Sequence, residues 1–228
     1  MIDLIPSSLT TVIRLYICWS NRSMIFFLEL IGTVAFAISG AVVGIQKKMD
    51  IFGVAILAMT TAVGGGIIRD IILNITPPAA FRNPVFTLSS IGVGIIVFVV
   101  CRHHFEMQKH AVYDVLLRIM DAIGLSLFTV IGVETAYIHV ADANAYLAIF
   151  VGVLTGVGGG ILRDVLAGNT PYVFVKHFYA CASLIGAIVC AVCWSWLGSV
   201  PSMLISAGLI MVLRNMAVHY RWSLPKIE

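Results

Sequence analysis

Two short stretches place chemically capable residues inside otherwise apolar sequence: "GGGIIRD" from Gly64 to Asp70 and "GGGILRD" from Gly158 to Asp164. Three adjacent glycines remove side chains from nearly one helical turn and cost about 1 kcal/mol each relative to Ala. An Arg-Asp pair is costly within an apolar span and usually faces a polar interior. A span broken at Gly64, Gly65 and Gly66, or at Gly158, Gly159 and Gly160, would expose carbonyls from one half-helix and amides from the other. Such ends carry partial charge and can face ions or polar solutes. Alternatively, the glycines let two helices approach closely, as small residues do in membranes. The doubling of the pattern favours the break.

Arg69, Asp70, Arg163 and Asp164 lie one to two turns beyond the glycines. Adjacent residues point about 100° apart on a helix, so the expected ion pairs cross between the copies, Arg69 with Asp164 and Asp70 with Arg163. A structural lock and a pathway lining both remain open for these groups. Glu29 and Asp121 sit near the start of the first helix of each copy. Acids there would concentrate cations at a pore mouth, or simply rest in headgroup water. Thr60, Thr61, Thr155, Ser39 and Ser126 supply hydroxyls near the expected path, and Thr76-Pro77 and Thr170-Pro171 are expected to end the broken helices.

No enzyme signature is present: GxxxxGK[ST], HExxH and GxSxG are all missing from the chain. No metal or cofactor is expected. The five cysteines include Cys190-x-x-Cys193, which reads as small packing residues within a helix, not as a redox or metal pair.

The elements that must position these residues follow from composition. The 228 residues are 60% hydrophobic and only 11% charged, with a mean hydropathy of +1.03. A soluble domain carries about a quarter charged residues, so the chain is an integral membrane protein. Net charge is +3, with the basic residues spread over short loops, which argues against nucleic acid as a partner. A helix needs roughly 20 apolar residues to cross the hydrocarbon core. Seven stretches approach that length: 24–45, 51–73, 85–101, 112–138, 145–167, 178–197 and 201–218. Residues 1–23 are expected to lie at the membrane surface or to be disordered, with Met24 an alternative start.

The glycine stretches belong to a longer repeat. Residues 64–77 and 158–171 agree at eight of fourteen positions without a gap, and beyond them Ser89 faces Ser183 and Gly92 faces Gly186. Upstream, "ELIGTVAFAISG" lies over "DAIGLSLFTVIG", pairing Gly32 with Gly124, Phe36 with Phe128 and Glu29 with Asp121. Each copy holds three spans, and an odd number inverts the second copy in the membrane, as in many transport proteins. The expected organisation is a first repeat over 24–111, a second over 112–197, and a seventh helix with a tail over 198–228. The Lys and Arg distribution among loops places the N-terminus outside and the C-terminus in the cytoplasm.

Seven spans, an inverted three-plus-three repeat and the doubled GGG-x-x-R-D resemble the trimeric intracellular cation (TRIC) channels, particularly their prokaryotic homologues. The resemblance covers roughly Met24 to Val218. A neighbouring bacterial branch of the same architecture includes proteins assigned to glycine transport. The resemblance implies an all-α polytopic membrane protein whose second and fifth spans bend at Gly64 to Gly66 and Gly158 to Gly160. It further implies a homotrimer in a prokaryotic plasma membrane, surrounded by lipid, with one pore per protomer passing potassium and also sodium. Animal members carry a Lys-Glu-Val motif in the fourth span; here Glu134 has no preceding Lys. A carrier for a small zwitterion such as glycine is the alternative function.

Overall fold

The computed structural model describes residues 7–103, 110–175, 178–220 and 222. It is all-helical among these residues: α1 (Ser7–Gln46), α2 (Ile51–Ile72), α3 (Ala79–Arg82), α4 (Pro84–His103), α5 (His110–His139), α6 (Ala145–Leu166), α7 (Tyr172–Val175), α8 (Tyr179–Leu197) and α9 (Ser199–His219). Seven of these contain segments long and apolar enough to cross a membrane, so the chain is an all-α polytopic membrane protein. The spans agree with the expected ones to within about two residues. The helix of the first span begins well upstream of Met24, at Ser7, and runs unbroken to Gln46. Residues 1–6 lie outside the described residues, as do Lys109, Lys176, Arg221 and Lys226 of the loops used for orientation.

The two glycine helices are built alike. Each has 22 residues, and each starts at a side-chain cap: Asp50 Oδ1 accepts from the Gly53 amide at 2.7 Å, and Asn144 Oδ1 from the Leu147 amide at 2.8 Å. Both stop at a left-handed residue, Asn74 with φ 55° and Gly168 with φ 67°. Beyond it the chain folds back, with the Ile75 amide donating to Asp70 O and the Asn169 amide to Asp164 O, both at 2.8 Å. The helices therefore end four or five residues before Pro77 and Pro171, and the prolines are not what stops them.

Neither helix breaks at its glycines. Helical backbone continues through Gly64–Gly66 and Gly158–Gly160, which corrects the expected break. The reason lies in the crossing of α2 and α6. A Cβ on Gly65 would collide with the Thr155 carbonyl oxygen, and one on Gly159 with the Thr61 carbonyl oxygen. A Cβ on Gly158 would lie 3.3 Å from Gly65 Cα. Glycine here serves backbone-to-backbone contact, the small-residue packing common in membranes. The lost helix propensity is offset by dispersion between two closely seated backbones.

Around this crossing sits the apolar core. Phe36 of α1 and Phe128 of α5 stack with ring centroids 5.3 Å apart, and Leu125, Ile131 and Val133 are buried beside them. Ile25 and Glu29 near the start of the first span share one cavity with Ile138 and His139 at the end of α5, so α1 and α5 run antiparallel. α9 packs on α5 and α8, giving the second half a covering helix that the first half lacks.

Candidate functional site

At the end of the bundle where the first span starts, a cavity of about 430 Å³ opens between α1, α2 and α5. Its polar lining is Glu29 from α1, Arg69 and Asp70 from the last turn of α2, Arg82 from α3, Glu134, Thr135 and His139 from α5, and Ser199 from the start of α9. Below it, a space of about 20 Å³ continues past Arg69 to Gly66, Thr33 and Phe128. That is room for one water-sized particle. Phe128, in the wall of this space, is the ring that stacks on Phe36.

Each Arg-Asp pair closes on itself. Arg69 Nε donates to Asp70 Oδ1, and Arg163 Nε to Asp164 Oδ1, each at 2.8 Å. The expected crossing of Arg69 to Asp164 and Asp70 to Arg163 does not occur. Two features explain this. Arginine is long enough to curl back to its neighbour, and each Asp is held in place by its second oxygen. Asp70 Oδ2 accepts from the Ala79 amide at 2.7 Å, and Asp164 Oδ2 from the Tyr172 amide at 2.9 Å. Those amides open α3 and α7, where the positive end of a helix favours a carboxylate.

The two pairs then differ in surroundings. Arg69 lies at the cavity wall, 4% exposed, and its Nη1 has no hydrogen-bond partner among the described residues. No ion pair joins it to Glu29 or Glu134. Arg163 is fully enclosed. Its Nη1 donates to Asp121 Oδ1 at 2.6 Å and also to Ser39 Oγ. Asp121 Oδ2 in turn lies 3.9 Å from Nη2 of Arg214 on α9. Aromatic faces complete the cage, Tyr179 at 4.6 Å from the Arg214 guanidinium and Tyr172 at 5.2 Å from that of Arg163. Two arginines and two aspartates thus form a charge-balanced cluster, away from water, at the opposite end of the bundle from the cavity.

Of the expected site residues, the structure brings Glu29, Arg69 and Asp70 to the cavity and Gly66 to the space beneath it. Asp121 is not a mouth acid: it is 1% exposed and bound to Arg163. Thr61, Thr155 and Ser126 do not line the cavity. Their hydroxyls are buried and donate to carbonyls of their own helices, Leu57 O, Val151 O and Ile123 O. Thr60 is half-buried on α2, and Ser39 belongs to the Arg163 cluster. Gly64, Gly65, Gly158 and Gly159 lie at the helix crossing, while Gly160 faces Tyr179. Glu134, Thr135 and Arg214 were not among the expected site residues. Arg214, in the last turns of α9, is buried. An ionisable residue within an apolar span was the available signal for both Glu134 and Arg214.

Comparison with known proteins adds the family. A family model described as "Glycine transporter" matches residues 26–102 and again 118–195. The UPF0126 inner membrane protein YadS of Escherichia coli is 37% identical over 202 residues, covering 88% of this chain and 94% of YadS. The UPF0126 membrane protein YvgT of Bacillus subtilis is 33% identical and covers 87% of this chain and 94% of its own. Among solved structures, a prokaryotic TRIC channel crystallised in 0.5 M KCl superposes with a TM-score of 0.81 at 32% identity, over 89% of this chain and all of that one. The TRIC orthologue from Rhodobacter sphaeroides gives a TM-score of 0.80 at 30% identity, over 88% of this chain and all of its own.

Proposed function

This chain belongs to the membrane-protein family described as glycine transporters, whose fold it shares with the prokaryotic TRIC channels, and we propose that it is a passive channel for potassium and sodium with one pore in each protomer of a homotrimer. The observation that carries this reading is the cavity beside Arg69 and Asp70, where Glu29 and Glu134 contribute carboxylates engaged in no ion pair. Such a cavity raises the local concentration of cations at its mouth. The route follows the seam between two inverted repeats, 24–111 and 112–197, with 198–228 adding a seventh helix and tail. Supporting this organisation are the double match of the family model, the like-built α2 and α6, and the antiparallel α1 and α5. The Arg163 cluster closes the far end, so conduction requires that cluster to rearrange. We place the protein in the inner membrane, as YadS is named, with its N-terminus outside and C-terminus in the cytoplasm.

Single-channel recording of the purified protein in a planar bilayer under a potassium gradient tests this directly. Discrete openings that reverse near the potassium equilibrium potential are the expected result. Changing Glu29 and Glu134 together to Gln is expected to lower potassium conductance roughly two- to fivefold at low salt, with the deficit shrinking near molar salt as the charges are screened. Conductance that is unchanged at low salt would remove these acids from the path.

The second reading is a carrier for a small zwitterion such as glycine. Here the favouring observation is Arg69 Nη1, a buried donor free to take a carboxylate, across a cavity that also presents Glu29 and Glu134 to an ammonium group. A silent bilayer together with saturable uptake of labelled glycine by liposomes of the same protein would establish it. In that case Arg69→Gln is expected to lower uptake by about 10-fold or more, the cost of one charge-assisted hydrogen bond.

A further inference from the structure

The cavity between α1, α2 and α5 carries more negative charge than it balances. Glu29, Asp70 and Glu134 line it, and the one buried cation beside them among the described residues is Arg69. Asp70 takes Arg69 Nε at 2.8 Å and the Ala79 amide at 2.7 Å, so that pair is complete. Glu29, half-buried, and Glu134, 5% exposed, remain on two antiparallel helices, and neither forms an ion pair among the described residues. They lie within electrostatic reach of each other and of Arg69. The other titratable groups facing them offset little. Arg82 of α3 is exposed and donates to Thr76 O at 2.7 Å, His139 is exposed at the end of α5, and α8 brings the buried Cys190 thiol near Glu134. Among the described residues, α4, α6 and α9 add no charged group to the lining. Arg69 Nη1, buried at the same wall, has no hydrogen-bond partner. A buried guanidinium donor needs an acceptor. Water in a cavity of this size supplies one, and connects the guanidinium and both glutamates to the solution.

We propose that Glu29 and Glu134 together form a binding site for one proton, which competes there with the permeating cation. The competition rests on the reading of this cavity as the cation path. Two like charges in one enclosed space favour a first proton, because it removes their repulsion. They resist a second, because the carboxylate that stays charged is held by Arg69 close by. The pair therefore titrates as a unit, not as two independent acids. The proton comes from water in the cavity and rests on a carboxylate oxygen. A potassium ion entering the cavity offsets the same charge, and the proton returns to water. Acidic solution thus fills the site with protons and lowers its cation occupancy, and alkaline solution frees it.

The test is infrared difference spectroscopy of the purified full chain, acidified from mildly alkaline to mildly acidic pH. A carboxylic-acid C=O band that shifts on carbon-13 labelling of glutamate is expected, with the intensity of one group. Glu29→Gln or Glu134→Gln alone should weaken proton uptake by the partner roughly tenfold, since the repulsion is gone and Arg69 stays. The double variant should lack the band. Asp142→Asn, at an exposed position outside the cavity, should leave it unchanged. In the wild type, exchanging choline for potassium at constant ionic strength should move the band's midpoint to lower pH, by at most about one unit for each tenfold rise in potassium. That shift needs no variant to fold. A band that survives in the double variant, or single variants that both keep the wild-type midpoint, would overturn the shared site. A midpoint indifferent to potassium would overturn the competition. The band is read without transport. Potassium openings in a bilayer with no band would therefore overturn the proton site alone, whereas a band with a silent bilayer would overturn the cation path on which the competition rests.

Discussion

Replacing Arg163 with Met is expected to cost about 3–5 kcal/mol, enough to abolish a monodisperse peak in size-exclusion chromatography after mild heating. The side chain is completely enclosed and serves Asp164, Asp121 and Ser39 at once. Its removal strands two buried carboxylates. Asp164 keeps the Tyr172 amide, and Asp121 keeps the neighbouring Tyr179 hydroxyl and Arg214 at 3.9 Å. Adding Asp121→Asn to the same chain should recover a good part of the loss, since one of the stranded charges is then gone. The equivalent Arg69→Met should cost distinctly less, about 1–2 kcal/mol. Asp70 still accepts from the Ala79 amide, and the site borders a cavity that admits water. Thermal melting of the three variants in one detergent checks the order. Equal losses at Arg69 and Arg163 would show that the two pairs are equivalent locks, and the division into an open and a sealed end would fall.

That division could not be read from sequence, although its ingredients could. The seven spans were legible because apolar length is a one-dimensional property, and each held its boundary to about two residues. The repeat was legible for the same reason: Glu29 and Asp121, Arg69 and Arg163 occupy matching registers. What differs is their cover. Asp121 and Arg163 lie near α9, which contributes Arg214 and has no counterpart beside Glu29 and Arg69. A seventh helix therefore turns one of two similar sites into a buried cluster and leaves the other as a cavity wall. Hydropathy does not report the side from which a helix is covered. The Arg-Asp pairing was misjudged for a local reason. Helix geometry sets where two side chains start, but the Asp orientation comes from the opening amides of α3 and α7, which follow in the loops.

The three glycines of each triplet should respond to substitution unequally, and this separates close packing from a functional break. Gly65→Ala and Gly159→Ala are each expected to lose about 1–3 kcal/mol or more, because the new methyl group meets a carbonyl oxygen of the facing helix. A backbone carbonyl cannot turn aside as a side chain can, so α2 and α6 must separate along the crossing. Gly66→Ala is different. Its Cβ would find only Arg69 Nη2, at 3.8 Å, so little stands against the substitution. Helix propensity then favours Ala by about 1 kcal/mol, and this variant should match or exceed wild type in melting temperature. A span unwound at its glycines predicts another pattern, in which Ala at any of the three positions promotes helix and disturbs function alike. Melting curves of Gly65→Ala, Gly66→Ala and Gly159→Ala decide between them. A stable Gly65→Ala would contradict the backbone contact. A stable Gly66→Ala with unstable Gly65 and Gly159 variants would make the glycines the seat of the helix crossing, leaving charge selection to the Glu29 and Glu134 carboxylates.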